Sequence, residues 1–171
     1  MSLPAPILPD VLAPGLRVVF CGYAPGTASA RAGAYYAGPG NRFWITLHEV
    51  GLTPLLLRPA EFPRLPEFGI GLTDVSKTAS GSDREVGRRG VDPARLAAAV
   101  ATASPTHLAF NGKNAARAAL GRPVDYGPQP ERIGEATVWV LPSTSGAARG
   151  FWDIEPWREL AHAALSTSGP L

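Results

Sequence analysis

Short apolar runs and longer stretches of helical spacing alternate along this chain. Leu16–Cys21, Gly69–Thr73, Thr106–Phe110 and Thr137–Leu141 are brief, largely apolar and bounded by turn residues, the pattern of strands covered on both faces. Between Asn41 and Val50, Phe43, Trp44, Leu47 and Val50 recur near helical spacing, and Gly51 closes that helix. Asp92-Pro93 pairs a capping carboxylate with proline at the first helical position, which predicts a helix through the alanine-rich stretch to about Ala103. Lys113–Leu120 reads as a short helix stopped by Gly121, and Pro156–Leu165 as a closing helix. Pro59, Pro63 and Pro66 permit only short helical turns between residues 58 and 68, and Asp125–Pro130 reads as a loop. Strands alternating with helices predict an α/β sandwich with a mainly parallel central sheet.

The same pattern leaves four loops after strands: Gly22–Gly40, Asp74–Gly90, Asn111-Gly112 and Pro142–Gly150. In a parallel sheet all four open on one edge and can converge on a single site. The first carries the densest information. Val18–Cys21 runs straight into Gly22-Tyr23-Ala24-Pro25-Gly26, and no helix is expected before Asn41, a longer interval than a simple connection needs. That combination predicts a pocket shaped by backbone.

Composition narrows the setting. The chain has 171 residues, enough for one domain with a substantial core, here residues 1–171 with an irregular proline-rich lead-in (1–15) and a frayed tail (166–171). It lacks the long apolar run of a membrane helix and the pattern of a signal peptide, so a cytoplasmic protein is expected. Its one cysteine, Cys21, leaves no internal disulfide and no multi-cysteine metal site. Lys77 and Lys113 are the two lysines among 16 basic residues; the other 14 are arginines, which suit bidentate phosphate contacts, although the net charge is only +2. Neither a Walker A motif, a G-x-G-x-x-G fingerprint nor a G-x-S-x-G elbow is present. His48, His107 and His162 share no metal-ligand spacing and read as packing or surface residues.

Leu12–Gly22, Pro25-Gly26, Asn41-Arg42-Phe43-Trp44, Leu141-Pro142, Ser145-Gly146 and Arg149 together resemble the mismatch-specific uracil-DNA glycosylase and thymine-DNA glycosylase family, over roughly residues 12–165 and with the motifs in order. The resemblance implies a three-layer α/β/α sandwich and cleavage of the N-glycosidic bond of uracil, or of another damaged or mismatched base, by a monofunctional, monomeric enzyme of base-excision repair. It implies DNA as partner and neither metal nor organic cofactor. Such an enzyme takes its target out of the stack and holds it in a pocket.

Two departures from the family motifs redistribute the expected roles. The first motif usually reads Gly-x-Asn-Pro-Gly, its Asn positioning the attacking water; here Ala24 stands at that place and has no group to do so. Asp74, at the end of the Gly69–Thr73 strand, is the leading substitute and Asp83 the second, with a turn or cap role as the alternative for each. Gly22, Tyr23, Ala24, Pro25, Gly26 and Ser29 should wall the base pocket, Tyr36 should stack on the flipped base, and Asn41 should cap its helix while shaping the loop. The second motif, usually Asn-Pro-Ser-Gly-x-x-Arg, reads here Ser143-Thr144-Ser145-Gly146-Ala147-Ala148-Arg149. Ser143, Ser145, Gly146, Ala147 and Arg149 should meet DNA, with Lys113 on a phosphate, but Ser143 and Ala147 replace the usual Asn and the usual bulky wedge. Weaker reading of the opposite strand follows, with uracil accepted in several contexts. Two other readings stay open: a binder of uracil-containing or damaged DNA that has lost catalysis, and a small-molecule nucleoside or nucleotide hydrolase.

Overall fold

The computed structural model describes residues 5–166. In chain order these form β1 (Val18–Gly22), α1 (Thr27–Ala32), α2 (Phe43–Glu49), a 3₁₀ segment (Pro59–Phe68), β2 (Ile70–Asp74), α3 (Asp83–Val86), α4 (Pro93–Ala103), β3 (His107–Asn111), α5 (Lys113–Leu120), β4 (Gly127–Ile133), β5 (Ala136–Leu141), a second 3₁₀ segment (Gly146–Phe151) and α6 (Glu155–Ser166). The strands make one sheet in the order β2-β1-β3-β5-β4, parallel except for β4, which runs antiparallel to β5 at the edge. The fold class is the α/β architecture that the alternation predicts.

Residues in β1 divide the interior. Val18 and Phe20 join a cluster with Phe43, Leu47, Leu65 and Trp157 on one face of the sheet. Val19 and Cys21 join Leu96, Val100, Ala115 and Ala116 on the other. All five residues of β1, β2 and β3 are buried, so an alternating pattern could not appear in them. Phe20 stacks on Trp157 with ring centroids 5.4 Å apart, and the Trp157 indole N–H donates to the Pro142 carbonyl at 2.9 Å, anchoring the start of the last loop to α6. His107, at the opposite end of β3 from the loops, accepts from the Trp139 indole at 3.1 Å and serves packing.

Two expectations need correction, and a third gains detail. Asp125–Pro130 is not simply a loop: from Gly127 it belongs to β4, where Pro128 and Pro130 are tolerated because the strand is at an edge and its ladder is irregular between Pro128 and Arg132. The long first loop contains α1, a helix of only six residues that carries no apolar stripe. Residues 5–15 are irregular but not loose. Val11 bridges Leu72 through N–H to carbonyl bonds of 2.8 and 2.9 Å, Leu8 is buried, and Ile7 N–H donates to the Lys77 carbonyl at 2.7 Å. The predicted frayed tail lies outside the described residues except for Ser166, which ends α6.

Candidate active site

Parallel register brings the loop-bearing strand ends together. Gly22 pairs with Asp74, Cys21 with Phe110, and Asn111 with Leu141, so β1, β2, β3 and β5 all finish at one edge. β1 lies between β2 and β3, and the chain crosses it to opposite sides, which makes its carboxyl end a switch point in the sheet. A cavity of about 940 Å³ opens there. Every residue that the sequence singled out for the site lines it, from Gly22, Tyr23, Ala24, Pro25, Gly26, Ser29, Tyr36 and Asn41 to Asp74 and Asp83, and on to Lys113, Ser143, Ser145, Gly146, Ala147 and Arg149.

The floor is built by Gly22, Asp74 and Tyr36. A Cβ on Gly22 would stand 2.8 Å from Asp74 Oδ1 and 3.0 Å from the Tyr36 hydroxyl, so only a glycine lets these groups close on the end of β1. Asp74 is 2% exposed and its Oδ2 has no hydrogen-bond partner. Burial pushes its carboxyl up to about 6, with the Asp10 charge adding to the rise and Lys77 and Arg95 opposing it. Tyr36 adopts a left-handed backbone (φ 53°) and lays its ring on Phe43 with centroids 4.1 Å apart. Its hydroxyl is buried without a hydrogen-bond partner, and burial, together with the neighbouring Asp74, keeps it protonated.

The two candidate carboxylates sit in different surroundings. Asp83 is exposed at the first position of α3 and accepts a hydrogen bond from Asn114 Nδ2 at 2.9 Å, which joins α3 to α5. Asp83 thus has a partner and stands in the open, whereas Asp74 is dry, with Oδ1 turned to Gly22 and Oδ2 buried 3.6 Å from the Lys77 ammonium.

Several other site residues hold the walls. Ser29 is buried and accepts from Ala37 N–H at 3.1 Å, fixing the return of the first loop. Asn41 Oδ1 accepts from Phe43 N–H at 3.0 Å, at the entry to α2. The Tyr23 hydroxyl donates to the Gly87 carbonyl, and the Pro25 carbonyl accepts from Gly81 N–H at 2.9 Å, so the first two loops are tied to each other. Ser143 Oγ accepts from Ser145 N–H, and Ser145 Oγ from Ala147 N–H, both at 3.2 Å. The Lys113 ammonium lies 4.5 Å from the Tyr126 ring centroid.

Sequence reasoning left out four contributors. Asn111, read as a turn residue, donates to Thr144 Oγ1 at 2.9 Å and accepts from Thr144 N–H at 3.0 Å, latching the last loop to β3. Asp10 and Lys77 stand behind Asp74, and nothing in a proline-rich lead-in or a polar loop signals that they meet. Phe151 is 76% exposed at the cavity mouth, at the end of the 3₁₀ segment that carries Arg149. A lone phenylalanine in a small-residue loop reads as packing, yet here it packs on little.

A model of the uracil DNA glycosylase superfamily matches residues 9–161. The chain belongs to that superfamily. A solution structure of a Methanosarcina acetivorans protein named a "putative Uracil DNA glycosylase" has the same fold, with a TM-score of 0.62 and 23% identity over 91% of this chain and 96% of that one. Superfamily membership supports a DNA glycosylase role and DNA as partner. Among the described residues of this glycosylase-superfamily chain, no helix is long and apolar enough to cross a membrane, and no group of three His, Cys, Asp or Glu side chains is placed to hold a metal ion.

Proposed function

We propose that this protein hydrolyses the N-glycosidic bond of uracil in DNA, acting as a monofunctional monomer in the manner of the mismatch-specific branch of the superfamily, with Asp74 in place of the motif asparagine. The observation that carries the reading is the Asp74 carboxylate, dry and lodged at the cavity floor, with Oδ1 turned to Gly22 and the Tyr36 hydroxyl and Oδ2 buried behind it. A flipped uridine in the cavity would place its base against the Tyr36 ring and the Tyr23–Gly26 backbone. The C1′–N1 bond breaks with its electron pair leaving on the base, and positive charge develops on the sugar. Water then forms the C1′–O bond, and Asp74 accepts the proton that water gives up. That proton is passed on to the departing uracil anion or to solvent, so the carboxylate is regenerated.

The rim supplies contact with DNA. Arg149 and Lys113 face phosphates, and the small residues Gly146 and Ala147 allow the backbone close to the strand. Ala147 cannot act as a wedge, and Phe151 stands four residues on with its ring in solvent. Apolar side chains of this kind are inserted into opened base steps. Phe151→Ala should therefore slow uracil release from a duplex by about tenfold or more while release from a single strand falls by less than about threefold, a base stack being worth about 1–3 kcal/mol. Equal losses on both substrates would remove Phe151 from this role.

The deciding experiment is uracil release from single-stranded, U:G and U:A oligonucleotides by the wild type, Asp74→Ala and Asp83→Ala. Abasic product from all three substrates with the wild type and Asp83→Ala, but not with Asp74→Ala, is the expected result. Ala24 in the motif favours one competing reading, a DNA binder without catalysis. Retention of uracil-containing DNA in a gel shift, with no abasic product at any protein excess, would establish that reading instead.

A further inference from the structure

Asp74 is backed by a closed set of charges that its role as base does not by itself require. Lys77 is 6% exposed, and its ammonium lies 3.0 Å from Asp10 Oδ1, 3.0 Å from the Tyr35 hydroxyl and 3.6 Å from Asp74 Oδ2. Arg95 donates to Asp10 Oδ2 at 2.8 Å, to Thr73 Oγ1 at 3.0 Å and to the Asp74 carbonyl at 2.8 Å. Asp10 also accepts from the Thr73 hydroxyl at 2.7 Å. Two carboxylates thus share two cations. Lys77 donates to the Tyr35 hydroxyl and pairs closely with Asp10 at 3.0 Å, while its pair with Asp74 is looser, at 3.6 Å.

The lead-in is what makes this division possible. Its irregular backbone is fixed by the Val11–Leu72 bridge, by Ile7 N–H on the Lys77 carbonyl and by the Tyr35 hydroxyl on the Pro9 carbonyl at 2.8 Å. These three ties set Asp10 in the gap between α4 and the loop after β2. Without Asp10, the shortest path to charge neutrality for Lys77 is a direct bond to Asp74. A carboxylate so paired is a poorer base, because a hydrogen-bonded ammonium stabilises its charged form.

We infer that Asp10, with the Tyr35 hydroxyl, is a positioning residue that holds Lys77 back from Asp74, so that the ammonium does not bond the carboxylate and Oδ1, turned to the cavity floor, is left to take a proton from water. The inference rests on the reading of Asp74 as the base. Charged groups face Asp74 from three directions: Lys77 in its own loop, Asp10 in the lead-in and Arg95 on α4. Cys21, Tyr35 and Tyr36 also adjoin it, but burial raises all three above their ordinary values, so they stay neutral in the working range. Burial works to raise Asp10 as well, but Lys77, the Thr73 hydroxyl and Arg95 outweigh it and keep Asp10 ionised.

The test is the pH dependence of single-turnover uracil release by the wild type, Asp10→Asn, Tyr35→Phe, Lys77→Met and Asp74→Asn. Asp10→Asn should move the acid limb down by about one pH unit and lower the plateau by roughly three- to tenfold, since a weaker base transfers the proton less well. Tyr35→Phe keeps the ring and frees one Lys77 N–H, so its limb moves the same way by a smaller step; it carries the test should Asp10→Asn fail to fold. Lys77→Met should move the limb up by about one unit, with activity lost near pH 6 and regained toward pH 8. Folded Asp10→Asn and Tyr35→Phe proteins whose limbs coincide with the wild type, while Asp74→Asn is inactive, would overturn this inference and leave Asp74 as the base. An Asp74→Asn protein with wild-type rate and profile would overturn the reading of Asp74 itself.

Discussion

Asp74→Asn is expected to lower the single-turnover rate of uracil release by about 10²–10⁴, the usual range for loss of a positioned base, and at the same time to make the folded protein more stable at pH 8. Asn has nearly the shape of Asp, so the floor stays filled and the Gly22 contact survives. What disappears is a group that can ionise. The direction of the stability change follows from the shift of this carboxyl from 3.8 to about 6 on folding. A folded value above the unfolded one means that the folded state favours the protonated form. The contribution of Asp74 is then fully present below about pH 3.8 and is lost as the pH rises through about 6. Above that, the native state holds a buried carboxylate at a cost on the order of 3 kcal/mol, which the amide avoids. Thermal melts at pH 5 and pH 8 should show the wild type losing stability across the interval and Asp74→Asn losing less. In activity the same titration acts the other way, since only the ionised form accepts a proton; wild-type turnover should fall as the pH drops below about 6. An Asn variant that melts below the wild type at pH 8 would mean that the carboxylate stabilises the fold, and that its burial does not serve chemistry. Stability surrendered at a functional group is a common pattern.

The parts of this molecule that were legible in the sequence are those where local chemistry and final environment agree. The strands at the middle of the sheet are buried on both faces and read as apolar runs, and Asp92 announced α4 because its carboxylate does accept Arg95 N–H, at 3.0 Å. β4 was hidden because two prolines oppose strand formation everywhere except at an edge, and edge position is a property of the whole sheet. Among candidate site residues, Asp74 stood out through its place at a strand end, but its dryness depends on Gly22 and Tyr36, which come from other elements. Asp10 was invisible for a stronger reason. Its partners lie 63 and 85 residues away along the chain, and the lead-in that positions it has no periodicity to read. Phe151 was missed because exposure, the property that makes it interesting, leaves no trace in composition.

Gly22→Ala should act through the same floor, and its effect separates space from backbone freedom. Gly22 is not among the residues with positive φ, so its backbone would accept a side chain without strain. The obstacle is distance: a methyl carbon 2.8 Å from Asp74 Oδ1 and 3.0 Å from the Tyr36 hydroxyl is inside contact range for both. Neither neighbour can yield freely. Asp74 is enclosed and its main chain is held by Arg95 at 2.8 Å, while Tyr36 is backed by Phe43 at a centroid distance of 4.1 Å and begins from a left-handed backbone. Overpacking of this kind costs about 1–3 kcal/mol, and the melting temperature should fall accordingly. Relief can come only from moving the carboxylate or the tyrosine, and a displacement near 1 Å at a reacting group costs about 10²-fold in rate. Gly26→Ala is the matching control for stability, because a methyl group there meets nothing within 4 Å; its melting temperature should match the wild type. If Gly22→Ala melts lower yet releases uracil at the wild-type rate, the base must tolerate displacement, and a carboxylate fixed against the end of β1 is not what the chemistry uses. If both stability and rate fall while Gly26→Ala melts normally, the glycine of this loop is required for the room it leaves to Asp74 and Tyr36.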